Sequence, residues 1–287
     1  MGDKSGIEWT GATWNPVTGC TKVSPGCDHC YAERVTERFQ GKGAFATVTL
    51  HPERLDLPLR WRKPRKVFVN SMSDLFHDDV PDEFIARVFA VMALAEQHTF
   101  QVLTKRHGRM RSLLGSNGFQ LAVMKAAVEI SDSPCADIYA DDDRWPLPNV
   151  WLGVSVESQQ WADIRIPALL ATPAAVRFLS CEPLLGPVYL LTRYDDYLIH
   201  GRPVDWVIAG GESGPGARPM QVEWVRILRD QCVRAGIPFH FKQWGEWGIP
   251  GWKVGETNGP LVHMGKRNAG RELDGRTWDE YPTAVTA

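Results

Sequence analysis

Six short apolar runs, rich in β-branched and aromatic residues, recur along the chain: KVFVNSMSD (66–74), TFQVLTKR (99–106), NVWLGVSVE (149–157), AVRFLSCE (175–182), DWVIAGGES (205–213) and PFHFKQWGE (238–246). Continuous rather than alternating apolar character marks strands buried on both faces, as in parallel sheets. Helical patterns lie between them. Pro81 to His98 opens with proline and acidic residues and sets Phe84, Val88, Val91 and Ala95 on one face, which predicts an amphipathic helix. Ser158 to Thr172 reads as a helix kinked or split by Pro167, and Val222 to Ala235 as one closed by Gly236. A helix over Asp28–Phe39 and a short strand over Trp14–Thr18 bring the total to about seven βα units.

Repeated βα units predict an α/β fold, a partial or closed parallel TIM-like barrel with its functional groups at the C-terminal ends of the strands. The polar residues that end the runs are therefore the candidates: Asn70, Ser71, Ser73 and Asp74; Thr104, Lys105 and Arg106; Ser155 and Glu157; Cys181 and Glu182; Glu212 and Ser213; Lys242 and Gln243. Two segments break the rhythm. Residues 115–148 are polar and acidic with a helical piece near 119–130, and 187–204 is a linker containing YDDY. Residues 248–287 are rich in Gly, Pro and Trp without periodicity, which predicts an irregular C-terminal cap on a barrel spanning 1–247.

With 287 residues, 44% hydrophobic and 23% charged, the chain can bury a large core as one domain, and no stretch approaches a membrane span. A net charge of −2 gives no general attraction to nucleic acid, so such binding must use a local patch. RWRKPRK, Arg60 to Lys66, is the candidate; a solvated basic loop is the alternative. The opening MGDKSGIEWTGATW lacks the basic start and apolar stretch of a secretory signal, so a cytoplasmic location with reduced thiols is expected. Six unevenly spaced cysteines in such a chain point to metal or redox chemistry rather than a disulfide framework.

Three of those cysteines, Cys20, Cys27 and Cys30, fall within WNPVTGCTKVSPGCDHCYAE with the spacing C-x6-C-x2-C. Thiolates suit zinc or iron–sulfur clusters, yet a structural zinc site wants a fourth protein ligand and none is evident. A [4Fe–4S] cubane on three thiolates leaves one iron open to a chelating small molecule. Structural zinc and simple packing remain alternatives.

The cysteine loop, Tyr31 after its last cysteine and the βα pattern resemble a radical S-adenosylmethionine (SAM) enzyme, although the first spacing there is commonly three residues and here is six. Together with FVNSMSDLFH, FLSCEPLLGP, VIAGGESGPGARPM, FHFKQWGEW and GKRNAGRELDGRTWDEYP, the loop resembles a phage-associated family of three-cysteine-motif proteins over nearly the whole chain. That family is regarded as radical SAM and related to spore photoproduct lyase. The resemblance implies a [4Fe–4S] cluster and SAM, an external electron donor such as flavodoxin or ferredoxin, and a DNA or nucleotide substrate. Its most specific implication is isomerisation of N-linked to C-linked 5-glycinylthymidine, in hypermodification that shields phage DNA from host restriction. Lesion repair, a small-molecule radical reaction, or a zinc or nucleic-acid-binding protein without catalysis are the alternatives.

On this resemblance, Ser71, Ser73 and Asp74 are expected at the methionine moiety of SAM, Lys105 with Arg106 at its carboxylate or a substrate phosphate, and Ser155 and Glu157 at the ribose. Cys181 is a candidate hydrogen-atom donor or a buried filler. AGGESGPGAR (209–218) lacks the spacing and lysine of a phosphate loop, but Arg218 suits a phosphate or carboxylate. Lys242 and Trp244 are expected to offer a cation and a base-stacking ring to substrate.

Overall fold

Apolar character concentrates in seven segments that form one sheet: β1 (Ala12–Trp14), β2 (Lys66–Val69), β3 (Thr99–Thr104), β4 (Val150–Ser155), β5 (Val176–Cys181), β6 (Trp206–Gly210) and β7 (Phe239–Gln243). The computed structural model describes residues 5–131, 144–190, 204–250 and 259–283; Cys135 and the YDDY run lie outside them. Every strand pairs in parallel with the next in sequence, and β1 does not pair with β7. The fold is thus α/β, a curled parallel half-barrel rather than a closed one.

Parallel neighbours require long crossovers, and these carry α1 (Tyr31–Gln40), α2 (Asp82–Leu94), α3 (His107–Leu114), α4 (Asn117–Ser131), α5 (Gln159–Leu170) and α6 (Val222–Ala235). Helix α6 ends on Gly236 at φ 68°, as its sequence predicts. Helix α5 runs through Pro167 as one element. The helical piece expected near 119–130 is α4, which buries Phe119, Val123, Ala126 and Ala127 and meets α2 where Phe89 and Phe119 stand 5.7 Å apart. The first strand lies earlier than Trp14–Thr18, because Pro16 cannot donate to a ladder; Val17–Thr18 instead pairs antiparallel with Thr49–Leu50.

Strand alternation sorts the side chains into two layers. Val67, Val102, Leu152, Leu179, Cys181, Val207, Ala209 and Phe241 join the core under the helices. Phe68, Trp151, Phe178, Trp206 and Ile208 form a second cluster on the concave face, joined by Trp9. Gly153 makes room there, since a Cβ would fall 2.4 Å from the Phe178 ring.

Both chain ends complete the half-barrel. The segment around Trp9 crosses the concave face, with the Trp9 ring 4.7 Å from Phe68. At the other edge Phe241 N donates to Trp278 O at 2.9 Å and Glu280 N to Phe239 O at 3.3 Å, so the C-terminal segment covers the otherwise open edge of β7. Among the described residues no helix is long and apolar enough to cross a membrane.

Candidate active site

Toward the C-terminal ends of the strands the concave face turns from aromatic to polar. A cavity of about 420 Å³ opens there. It brings together Cys20, Cys27 and Cys30 with Ser71, Ser73, Asp74, Lys105, Arg106, Ser155 and Lys242, and adds Ser180 and Glu182. The basic run at Arg60–Lys66 precedes β2, so it sits at the opposite rim, about 13 Å away along a four-residue strand. There Lys66 Nζ lies 3.3 Å from the centre of the Tyr281 ring and Arg65 stacks 5.0 Å from Trp61.

The cysteine loop is a long excursion between β1 and α1, and its shape comes from contacts rather than regular structure. Gly19, at φ 88°, passes so close to Thr47 that a Cβ would lie 2.0 Å from its carbonyl oxygen, so the turn into Cys20 needs glycine. Pro25–Cys27 form a single 3-10 turn, and Cys30 immediately precedes α1. All three thiols are free and partly exposed.

Three charged struts hold this loop. Arg106 donates to Cys20 Sγ at 3.4 Å, to Thr21 Oγ1 at 2.8 Å and to Thr21 O at 3.2 Å, and lies 3.5 Å from Asp74. Glu157 accepts from Gly26 N at 3.4 Å and pairs with the fully buried Arg165 at 2.8 Å. Arg218 grips Glu212 through two hydrogen bonds of 2.9 and 2.6 Å and donates to Pro25 O at 2.8 Å. Burial works to raise the Glu212 carboxyl, but Arg218 outweighs it and holds the group below its ordinary value. Burial and then the Asp74 carboxylate push the Cys20 thiol up to about 11, against Arg106.

Several residues expected to meet ligands also serve the protein's own structure. Asp74 accepts from Thr104 Oγ1 at 2.7 Å, Phe76 N at 3.0 Å and Lys105 N at 3.0 Å, which locks the end of β2 to that of β3. Ser71 donates to Asn15 Oδ1 at 3.2 Å and Ser73 to Val17 O at 2.9 Å. Glu157 and Arg218 do not line the cavity and act behind the loop. The glycine-rich 209–218 stretch receives Arg34, which donates to Ser213 O at 2.8 Å, while Gly214 N donates to Glu246 at 2.7 Å. The stretch thus docks α1, while Gly211, Glu212 and Ser213 also line the cavity.

Two expectations meet a physical obstacle. Cys181 is fully buried and faces the helices, because its neighbours Ser180 and Glu182 take the concave side; burial raises its thiol well above the ordinary value. It is not among the residues that line the cavity. Trp244 is 3% exposed, packs on Phe241 at 5.0 Å and donates to Glu272 O at 2.8 Å, so its ring is not free to stack on a base.

The two lysines expected at the site, Lys105 and Lys242, both face the cavity. Lys105 Nζ donates to Ser155 Oγ at 3.2 Å, and among the described residues no carboxylate pairs with it. Lys242 Nζ lies 3.2 Å from Glu182 Oε1, a pairing the sequence did not indicate although it offered Glu182 as a candidate after its strand. Its parity, opposite to Cys181, was the available signal.

Among the described residues no three His, Cys, Asp or Glu side chains gather as a single ion would require. Thiolates are the donors an iron–sulfur cluster takes, and three free thiols from one loop line one cavity, one of them hydrogen-bonded by an arginine.

The model of a family described as a protein of unknown function (DUF5131) matches residues 4–282. No curated protein matches the chain significantly. Among solved structures, a Cys-to-Ser mutant of spore photoproduct lyase is similar with a TM-score of 0.41 and 10% identity, over 90% of this chain and 69% of that one. Spore photoproduct lyase complexed with dinucleoside spore photoproduct is similar with a TM-score of 0.40 and 9% identity, over 88% and 68%. The chain belongs to the family of proteins of unknown function that spans nearly its whole length.

Proposed function

We propose that this family member is a radical SAM enzyme, with a [4Fe–4S] cluster on Cys20, Cys27 and Cys30, acting on thymidine-derived nucleotides in DNA. One observation carries the reading: a single loop sets three free thiols at the C-terminal mouth of a parallel half-barrel, around the cavity that also holds Lys105, Ser155 and Lys242. When bound, the cluster and SAM supply hydrogen-atom abstraction from an unactivated carbon.

The chain's own residues bind and orient. Arg106 neutralises and positions Cys20, while Glu157 and Arg218 fix the backbone between Cys20 and Cys30. Lys105 is the cation for the SAM carboxylate, and Ser155 lies beside it toward the ribose. Ser71 and Ser73 line the wall assigned to the methionine moiety, and Asp74 positions Lys105 and Arg106. Lys242 and Glu182 face the substrate. A cytoplasmic flavodoxin or ferredoxin supplies the electron. In its most specific form the reaction would break the glycine α-carbon–hydrogen bond and the bond from the thymine methylene carbon to the glycine nitrogen, join that methylene to the α-carbon, and return the hydrogen to the nitrogen, so the product is an isomer of the substrate.

Anaerobic reconstitution tests the class. The expected result is cubane absorbance that each of Cys20→Ala, Cys27→Ala and Cys30→Ala removes, with 5′-deoxyadenosine formed from SAM and dithionite; absence of both rejects the reading. For the isomerisation, DNA bearing N-linked glycinylthymidine is incubated with the active enzyme and digested to nucleosides. Unchanged nucleoside despite SAM cleavage rejects that substrate alone.

A further inference from the structure

Glu182 and Lys242 meet across a glycine. Glu182 follows β5, Lys242 belongs to β7, and Gly210 ends β6 between them. A Cβ on Gly210 would fall 2.7 Å from Glu182 Oε1 and 3.4 Å from Lys242 Cβ, so a side chain there would drive the two apart. The missing side chain creates the pairing.

The pairing is incomplete as hydrogen bonding. Lys242 Nζ lies 3.2 Å from Glu182 Oε1, yet that oxygen is buried and has no hydrogen-bond partner of proper geometry among the described residues. The other oxygen, Oε2, accepts from Trp9 Nε1 at 3.3 Å, which fixes the carboxylate's orientation. An acceptor with free lone pairs thus stands beside an ammonium with donors to spare. Both line the cavity, as do the rings of Trp9 and Phe68, which give it an apolar wall.

We propose that Glu182 and Lys242 form a recognition couple for a cyclic cis-amide edge, the adjacent ring N–H and C=O that a thymine or uracil ring presents. The ring N–H donates to Glu182 Oε1, and the ring carbonyl accepts from Lys242 Nζ. A ring alkylated at that nitrogen loses its donor and sets a methyl group against a partly desolvated carboxylate. The inference rests on the cavity being the active site proposed above, but it needs no turnover of SAM.

Calorimetric titration of the reconstituted protein, without reductant, compares thymidine with N3-methylthymidine. The expected preference for thymidine is roughly tenfold or more. It should collapse toward unity in Glu182→Leu, which has no acceptor, while Lys242→Met should weaken both ligands alike. Gly210→Ala should also abolish it with both charges kept, and melting curves verify that each variant folds. Equal affinity for the two ligands, no thymidine binding at millimolar concentration, or a preference that survives in folded Glu182→Leu would overturn the couple. Should the protein form no cluster yet keep the preference, the radical reading fails and the recognition couple stands.

Discussion

Glu157→Gln would leave the guanidinium of Arg165 buried without its anion. The side chains are 0% and 2% exposed and 2.8 Å apart, and burial works against the charge on Arg165 while Glu157 supports it. Arg165 keeps a bond of 2.8 Å to Ser155 O and a position 4.1 Å from the centre of the Trp161 ring, but its Nε and Nη2 have no partner among the described residues. Removing one member of a buried pair costs about 3–5 kcal/mol. Glutamine keeps the volume and can still accept a hydrogen bond, so about 3 kcal/mol is expected, a drop in melting temperature on the order of 5–10 °C. Urea denaturation followed by circular dichroism measures it. Arg165→Met should cost a similar amount, whereas the double variant, with both charges gone, should be less destabilised than the two single costs added together. Glu157 also holds Gly26, so Cys27 should react faster with a thiol reagent in Glu157→Gln. A single variant within about 0.5 kcal/mol of the parent, or strict additivity in the double variant, would refute the reasoning.

Two further outcomes concern stability. His240 is buried with neither ring nitrogen hydrogen-bonded among the described residues, and burial foremost pulls its pKa down to about 4 from 6.5. The folded pKa lies below the unfolded one, so the unfolded chain takes up the proton first as pH falls; stability is intact above pH 6.5 and is lost between there and about 4. That loss approaches about 3 kcal/mol, and urea midpoints measured across the window should flatten in His240→Leu; an unchanged slope would dismiss His240 as the source. Gly153→Ala should overpack the concave cluster by about 1–3 kcal/mol, and Phe178→Leu in the same chain should recover part of it. Equal stability of Gly153→Ala and the parent would contradict the packing.

The strands were legible because a strand buried on both faces must be apolar at nearly every position, and each of the six runs holds one sheet strand. Helix α3 escaped notice because HGRMRSLL carries three cationic or imidazole side chains and buries only Met110 and Leu114. The cysteines were legible from spacing and residue type. Placing Cys181 failed for a geometric reason: adjacent strand residues point to opposite faces, so a run of polar residues at a strand end cannot all reach one mouth. Asp74, Glu157 and Arg218 look like ligand contacts in a sequence because residue type reveals charge but not the partner that consumes it. Their partners, at Thr104, Arg165 and Pro25, are known only once the sheet is assembled.

The segment that crosses the concave face has a consequence for how the protein is made. Trp9 reaches Glu182, 173 residues later, and Glu8 O accepts from Tyr281, 273 residues later. A ribosome delivers the N-terminus first, so the cysteines and Trp9 emerge long before the residues that enclose them. A chain interrupted before β7 would hold its three thiols beside an open aromatic trough. The groove therefore becomes enclosed only when segments separated by most of the described sequence have met, which makes completion of the site a late, long-range step of folding rather than a local one.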